Sequence, residues 1–500
     1  MKDKKNKPTR VRLAPSPTGS LHVGTARAAL FNYLFAKQKK GKFILRIEDT
    51  DKERSKKEYE KQIIEGLKWL GINWDEGPET KGEFGPYRQS DRKNRYKKYL
   101  KKLLDEEEAY HCFCSEEELE QMRQKQKQNG EPPRYTGKCR DLSESEVKKR
   151  LEAGESSVIR FKTKNYEVKF EDIIRGEVSF DGKLMGDFVI AKDLDSPLYN
   201  FAVVVDDYEM KISHVIRGED HLSNTPKQIF IYKALGIPIP KFAHMPLILG
   251  EDESKLSKRH GAISIQEFKE KGFLPEALVN FMALLGWNSG TEKEIYSMEE
   301  LIKNFSLKRV QKSGSIFNKD KLKYINGVHI RNKDIEEITD LCLPYLEKKE
   351  FIKKISEKEY KINELDQKIE YEKIKKIINL YHERLKLLSE LPELVDFFFK
   401  EKIEYEKNLL QWKNMKDKEI EKALQASGKV LENINEWNEE KIKDVLLKES
   451  EKEGDRGRLL WPVRAALTGK EASAGPFEIA AVLGKERTLS RIKKAQDKVS

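Results

Sequence analysis

In the first half of the chain, short apolar runs alternate with stretches of helical periodicity; the second half settles into helical periodicity almost throughout. From Arg10 the pattern predicts a short apolar strand, a loop Pro15-Ser16-Pro17-Thr18-Gly19-Ser20, and a helix from about His22 to Gln38. Ala26, Ala29, Leu30, Tyr33 and Leu34 recur at helical spacing there, and Gly41 stops the run. Lys42 to Ile47 predicts a second strand, ending in Glu48-Asp49-Thr50-Asp51. Strand, tight loop, helix and strand in this order open a parallel α/β sheet, whose ligand is expected at the carboxyl ends of the strands.

A Lys/Glu-rich helix after Tyr99 leads into three cysteines and a polar stretch, Lys125 to Pro133. Short β-like runs follow at Val158 to Phe161 and Val178 to Phe180, separated by Gly176 and Asp181-Gly182, which reads as an insertion within the α/β domain. The α/β pattern returns with Phe201 to Val205, His214 to Ile216 and a helix from about Thr225 to Leu235. Beyond Gly261 the chain is expected to be almost entirely helical, with Lys/Glu faces from Ile335 to Ser450. The fold class is therefore α/β plus all-α. Residues 1–98 and 199–260 are expected to form the two halves of the α/β core, 99–198 an inserted domain, 261–334 a connecting segment and 335–500 a helical domain.

Composition narrows the function classes. Five hundred residues require several domains, and charged residues reach 37% against 38% hydrophobic. The balance of 97 basic and 86 acidic residues leaves +11, a weak sign of a polyanionic partner, because much of the Lys is interleaved with Glu on helix faces. No run approaches the ~18 apolar residues of a membrane span, and the basic Met1 to Lys7 is followed by Pro8-Thr9-Arg10 and not by the apolar core of a secretory signal. Four cysteines do not make a disulfide scaffold, so a reducing, cytoplasmic location is expected.

The most informative stretch is Pro15 to Thr25. Its prolines and Gly19 fix a sharp strand-to-helix turn, the helix start offers unpaired N–H groups to an anion, and Gly24 leaves room for a base or ribose. His22 stands where it can hydrogen-bond a phosphate. His22-Val23-Gly24-Thr25 resembles the His-Ile-Gly-His signature of the class I aminoacyl-tRNA synthetases, with Thr in the last place. Lys255-Leu256-Ser257-Lys258-Arg259-His260-Gly261, about 230 residues later, is similar to their Lys-Met-Ser-Lys-Ser loop. The resemblance implies a split Rossmann-type core that activates an amino acid with ATP and Mg2+. A mobile ammonium that closes on the phosphates as pyrophosphate leaves would lower the barrier. Pro15, Ser16, Thr18, Gly19, His22, Gly24, Thr25, Lys255, Ser257 and Lys258 are then the expected ATP-binding residues, with His22, Lys255 and Lys258 catalytic.

Arg12-x-Ala14-Pro-Ser16, Arg46-Ile-Glu48-Asp49-Thr50-Asp51, Tyr199 and Val215-Ile216-Arg217-Gly218-Glu219-Asp220-His221 resemble the glutamate-specific branch of that family. A substrate carboxylate calls for the two-donor fork of arginine. Arg12, Ala14, Ser16, Glu48, Tyr199 and Arg217 are thus the expected glutamate-binding set: Arg12 and Arg217 for the side-chain carboxylate, Tyr199 adding a hydroxyl, Glu48 and Ser16 for the ammonium. The structural alternative is an internal ion pair of Arg46 with Glu48, or of Arg217 with Glu219.

Cys112-Phe-Cys114, then twenty-four residues, then Cys139-Arg-Asp141 make a plausible zinc knuckle. Asp141 stands where the resembling enzymes often carry a fourth ligand, His; Tyr135 and His111 are the other candidates. By the same resemblance the insertion approaches the tRNA acceptor end, 261–334 contacts the stem, and the helical end, with Leu460-Trp461-Pro462 and Gly475-Pro476-Phe477, binds the anticodon. Trp461 and Phe477 are expected in the core. The implied activity is a monomeric glutamate–tRNA ligase acting on glutamate, ATP and tRNA(Glu), with tRNA(Gln) a further possible partner. A glutaminyl enzyme should have a β-rich anticodon end, a truncated tRNA-modifying paralogue should lack one, and a scaffold on a decayed synthetase should not keep His22, Gly24, Lys255 and Lys258.

Overall fold

The computed structural model describes residues 8–257 and 264–500. They form two compact units, one of the residues up to Lys269 with Pro275–Leu322, the other of Glu270–Leu274 with Lys323–Ser500. The segment expected as a separate connector is thus divided between them.

The first unit opens with strand β1 (Arg10–Leu13), helix α1 (Val23–Gln38) and strand β2 (Lys42–Leu45). β1 and β2 are parallel, with Arg10 opposite Lys42 and Leu13 opposite Leu45, and α1 is the crossover that parallel neighbours require. Ala26, Ala29, Leu30 and Leu34 are fully buried on α1, joined by Phe31 and Phe35. Phe43, Ile44 and Leu45 are fully buried on β2, and burying each such side chain contributes roughly 1.5–3 kcal/mol. Gly41 is required between them: a Cβ there would lie 2.2 Å from the Thr9 carbonyl oxygen, which accepts the Lys42 N–H at 2.9 Å.

Helices α2 (Lys57–Trp69) and α3 (Lys93–Asp105) lead to strand β3 (Ala109–Cys112). The inserted region holds helices α4 (Glu116–Gln128) and α5 (Glu144–Glu152), then strands β4 (Val158–Phe161), β5 (Glu167–Asp172), β6 (Gly176–Asp181) and β7 (Val189–Ala191). β3, β4 and β7 form a small antiparallel sheet. The β5–β6 hairpin takes another course. It joins strands β8 (His214–Gly218) and β9 (Lys241–Met245) in a four-stranded sheet of order β6-β5-β9-β8. Asp172 therefore pairs with Phe242, and a hairpin from inside the expected insertion becomes part of the sheet that carries Arg217. Helix α6 (Tyr199–Glu209) contributes Phe201 to Val205 to the core, and α7 (Thr225–Ala234) connects β8 to β9 in parallel register. Strand β10 (Ile248–Leu249) pairs with β11 (Ser315–Ile316).

The second unit is mainly helical, with Ile420, Leu424 and Leu431 of Asp417–Glu432 buried alongside Ile492, Ala495 and Val499 of Lys485–Val499. It also departs from the helical pattern expected from Ile335 to Ser450. Strands β12 (Ile352–Lys354), β13 (Glu359–Ile362) and β14 (Gln367–Glu370) form an antiparallel sheet. The cause is a period of two: Tyr360 and Ile362 alternate inward with Lys361 outward, while Ile352 and Ile369 bury the same face of the neighbouring strands. Trp461 is half-buried and packs on Trp412 with ring centroids 5.1 Å apart, its indole N–H held by the Leu409 carbonyl; Phe477 is also half-buried.

Candidate active site

The loop from β1 to α1, the carboxyl end of β8 and the segment from Met245 to Ser257 enclose a cavity of about 580 Å3. The cavity wall includes Pro15, Ser16, His22, Gly24, Thr25, Lys255 and Ser257, and it also includes Arg12, Ala14, Glu48, Tyr199 and Arg217. Two sets of residues far apart in sequence thus share one wall, at the carboxyl ends of parallel strands. Thr18 and Gly19 belong to the loop but do not line the cavity. Lys258, with Arg259, His260 and Gly261, lies outside the described residues. Gly24 is exposed at the start of α1, with open space where a Cβ would stand. His22 is the N-cap of α1 and makes no side-chain capping bond, so the first N–H groups of the helix are left for another acceptor.

The arginines are held in different ways. Asp207, buried on α6, accepts from Arg12 Nε at 3.1 Å and from Arg46 at 2.7 Å, and Arg46 also donates to Glu48 at 3.0 Å. Burial alone would raise the Asp207 carboxyl, but the two guanidiniums hold it below the usual range; for Glu48 burial prevails over Arg46 and the carboxyl is raised. The internal pairing of Arg46 with Glu48 is therefore real. Arg217 differs. Glu219 pairs with Arg175 and accepts the Leu247 N–H, leaving Arg217 to neutral acceptors. These are Thr225 Oγ1 at 2.8 Å, Gln228 Oε1 at 2.9 Å, His244 Nε2 at 3.2 Å and the Tyr199 hydroxyl at 3.4 Å. Among the described residues no carboxylate forms an ion pair with it, although it is only 6% exposed. Burial lowers its pKa accordingly.

Lys255 donates to Asp220 Oδ2 at 3.1 Å, and that contact holds the Asp220 carboxyl low against the opposing effect of burial. Sequence reasoning assigned no role to Arg27, Asp207 or His221. Arg27 lines the cavity and ties α1 to the Leu285 and Pro246 carbonyls; its signal was a charge at a core-facing position of α1. His221 also lines the cavity, sits 3.1 Å from the Tyr199 hydroxyl, and is pushed down to about 4, chiefly by burial.

The three thiols of Cys112, Cys114 and Cys139 come together, all within 4.8 Å of one another. Cys114 and Cys139 are 3.6 Å apart, close to the roughly 3.8 Å of two sulfurs on one tetrahedral zinc with 2.3 Å bonds. Asp141 is exposed and its carboxylate is not in this group, while His111 turns its Nδ1 to Ser157 Oγ at 3.2 Å. The oxygen that does approach belongs to Tyr135, 3.3 Å from Cys112 Sγ and 3.5 Å from Cys114 Sγ. The chain turns back between Tyr135 and Cys139, whose backbone N–H donates to that hydroxyl at 2.9 Å. Three thiols and a phenol oxygen suit a structural, four-coordinate ion.

Comparison with known proteins agrees with this arrangement. The family described as tRNA synthetases class I (E and Q), catalytic domain, matches residues 8–324, and an anticodon binding domain matches residues 337–496. The chain is 48% identical over 490 residues to glutamate–tRNA ligase 1 of Caldicellulosiruptor saccharolyticus, covering 97% of this chain and 98% of that protein. It is 49% identical over 488 residues to the glutamate–tRNA ligase of Carboxydothermus hydrogenoformans, again covering 97% and 98%. A crystal structure of a glutamate tRNA ligase from Elizabethkingia meningosepticum, in complex with its amino acid, superposes with a TM-score of 0.88 at 35% identity, covering 99% of this chain and all of that one. Near-complete coverage at this identity, on a fold in which the first signature segment and residues 255–257 line one cavity, means that the chain belongs to the glutamyl-tRNA synthetases of class I.

Proposed function

We infer that this protein is a glutamate–tRNA ligase. The carboxylate of L-glutamate attacks the α-phosphorus of ATP, forming glutamyl-adenylate and expelling pyrophosphate. A hydroxyl of the 3′-terminal ribose of tRNA then attacks the acyl carbon and releases AMP. No covalent enzyme intermediate is needed; positioning and charge stabilisation carry the reaction.

The observation that carries this reading is Arg217, a buried guanidinium on the cavity wall whose acceptors among the described residues are all neutral. A substrate carboxylate would supply the missing charge, and an amide would not. Arg12, which uses its Nε for Asp207, would turn its two terminal nitrogens to the same carboxylate. Tyr199 would add its hydroxyl, and Glu48 with Ser16 would receive the substrate ammonium beside Ala14. His22 and the helix start at Gly24 and Thr25 would meet ATP phosphates, next to Pro15, Thr18, Gly19 and Ser257. Lys255 would exchange Asp220 for phosphate oxygens, and Lys258, assigned from sequence, would act with it. Mg2+ bound with ATP would neutralise part of the phosphate charge.

A structural zinc would be held by Cys112, Cys114, Cys139 and the Tyr135 oxygen, fixing the inserted region in place. Residues 99–198 would approach the acceptor end and 335–500 the anticodon, in a monomer of the cytoplasm; four unpaired cysteines and the lack, among the described residues, of a helix able to cross a membrane are compatible with that location.

The deciding experiment charges purified tRNA(Glu) and tRNA(Gln) with glutamate and with glutamine in parallel. Glutamate on tRNA(Glu) is expected and glutamine on neither; glutamine on tRNA(Gln) would overturn the assignment of Arg217. Lys258→Ala should lower tRNA-dependent ATP–pyrophosphate exchange by about 10²- to 10³-fold, the usual loss for a group that stabilises transition-state charge. An unchanged rate would refute the role given to that loop.

A further inference from the structure

We propose that Asp172 and His244 together are positioning residues for Arg217, fixing the guanidinium in the orientation that accepts the substrate's side-chain carboxylate. The proposal rests on the reading of Arg217 given above.

Asp172 closes β5 and is 1% exposed. One of its oxygens accepts the N–H groups of Ile174 and Arg175 at 3.0 and 2.9 Å, within its own hairpin turn. The other accepts from His244 Nδ1 at 2.7 Å and from the His244 backbone N–H at 3.1 Å. Every hydrogen-bond partner of this carboxylate among the described residues can act as a donor, so it is ionised, and its pull decides the histidine tautomer: the proton sits on Nδ1 and the lone pair on Nε2. That lone pair faces Arg217 Nε at 3.2 Å and Thr225 Oγ1 at 3.0 Å. A buried carboxylate thus acts through an imidazole on an arginine that no carboxylate among the described residues touches directly.

The indirect connection has a chemical reason. A carboxylate in direct contact would satisfy the guanidinium and compete with the substrate. A neutral imidazole nitrogen orients Nε and leaves the positive charge uncompensated. The other contacts complete the clamp, with Thr225 and Gln228 on one terminal nitrogen and Tyr199 on the other. The groups around His244 keep it neutral. Asp172 and Arg175 face it from the β5–β6 hairpin, Arg217 from β8 and His221 from the turn after β8, while the rings of Phe170 and Phe242 pack against it at 6.4 and 6.1 Å. Burial lowers its pKa, with the two arginines adding to the effect and Asp172 opposing it. An imidazolium here would aim an N–H at the N–H of Arg217, cation against cation.

Asp172→Asn tests the tautomer. The amide oxygen must stay with the Ile174 and Arg175 N–H groups, so the amide nitrogen faces His244 Nδ1 and moves the imidazole proton to Nε2, against Arg217. In aminoacylation assays with tRNA(Glu), Asp172→Asn and His244→Leu should each raise the KM for glutamate tenfold or more while the KM for ATP stays within about twofold. His244→Gln, whose amide oxygen can take the place of Nε2, should keep the glutamate KM within about threefold of wild type. A merely structural role would lower the folded fraction, seen as a smaller kcat and a lower Tm, without moving one KM relative to the other. The proposal fails if the glutamate KM is unchanged in Asp172→Asn, or if both KM values rise together. Should Asp172→Asn not fold, equal glutamate KM values for His244→Leu and His244→Gln overturn it equally well. Wild type is the control for the underlying reading: no glutamate charging by wild type refutes the function, and charging by wild type with unmoved variants refutes only the positioning pair.

Discussion

Asp207 shows what single residues contribute. It holds Arg12 and Arg46, and all three are buried, so removing its carboxylate leaves two buried cations without their shared partner. Breaking buried pairs in this way costs about 3–5 kcal/mol. Asp207→Ala should lower the thermal midpoint markedly, while Asp220→Ala, whose partner Lys255 is 60% exposed, should barely change it; differential scanning fluorimetry compares the two directly. Arg217→Lys tests the fork itself. A lysine keeps the charge but loses the planar donors that Thr225, Gln228 and His244 orient, and the KM for glutamate should rise by at least tenfold. The residue types at Arg12, Arg217 and Glu48 were legible in the sequence because their chemistry is written in the side chain. Their partners were not: Arg12 and Asp207 are 195 residues apart, and nothing local distinguishes Asp207 from any other acid.

At the scale of elements, the strand-loop-helix-strand opening carries the fold of the site. Gly41→Ala would place a Cβ 2.2 Å from the Thr9 carbonyl, pushing β1 and β2 apart at the end remote from the loop. Lower thermal stability is expected, together with reduced charging, because β1 carries Arg12; unchanged values for both would show that the strands can shift freely. In the inserted region, Tyr135→Phe removes the hydroxyl oxygen that lies 3.3 and 3.5 Å from two of the thiols. Purified without chelator, wild type should hold about one zinc per chain by elemental analysis and the variant substoichiometric zinc. Metal-free, fully folded wild type would contradict the site. Element types were readable wherever one period persisted, as in α1, β4 and α7. The small sheet of β12 to β14 was not, since three to four residues per strand, rich in Lys and Glu, give too short a pattern to separate from a solvated helix face.

For the whole molecule, buried titratable groups in the first unit set a direction for acid stability. Burial pushes His214 and His221 down to about 4. Between pH 6.5 and 4 the unfolded chain binds protons there that the folded chain does not, so stability falls as pH falls through that window. Asp172 and Asp207 have lowered folded values, and their contribution is lost at still lower pH, as each is protonated. Both effects have the same sign, and the raised Glu48 carboxyl, a single group, opposes them. The thermal midpoint should therefore decline steadily from pH 7 to pH 4.5 at constant ionic strength, and a flat or rising profile would contradict the lowered values of these half-buried histidines.

The sequence by itself determined the family resemblance carried by the loops, the residue types proposed for glutamate and the largely helical character of the second unit, because motifs and periodicities are short-range and each side chain carries its own chemistry. Tertiary structure alone decided which acids neutralise which arginines, that Tyr135 and not Asp141 stands with the thiols, and that the β5–β6 hairpin enters the catalytic sheet beside β9. These are long-range facts. An ion pair, a metal cage or a strand pairing depends on distances that the folded backbone sets, and burial then turns those distances into charge balance around Arg217.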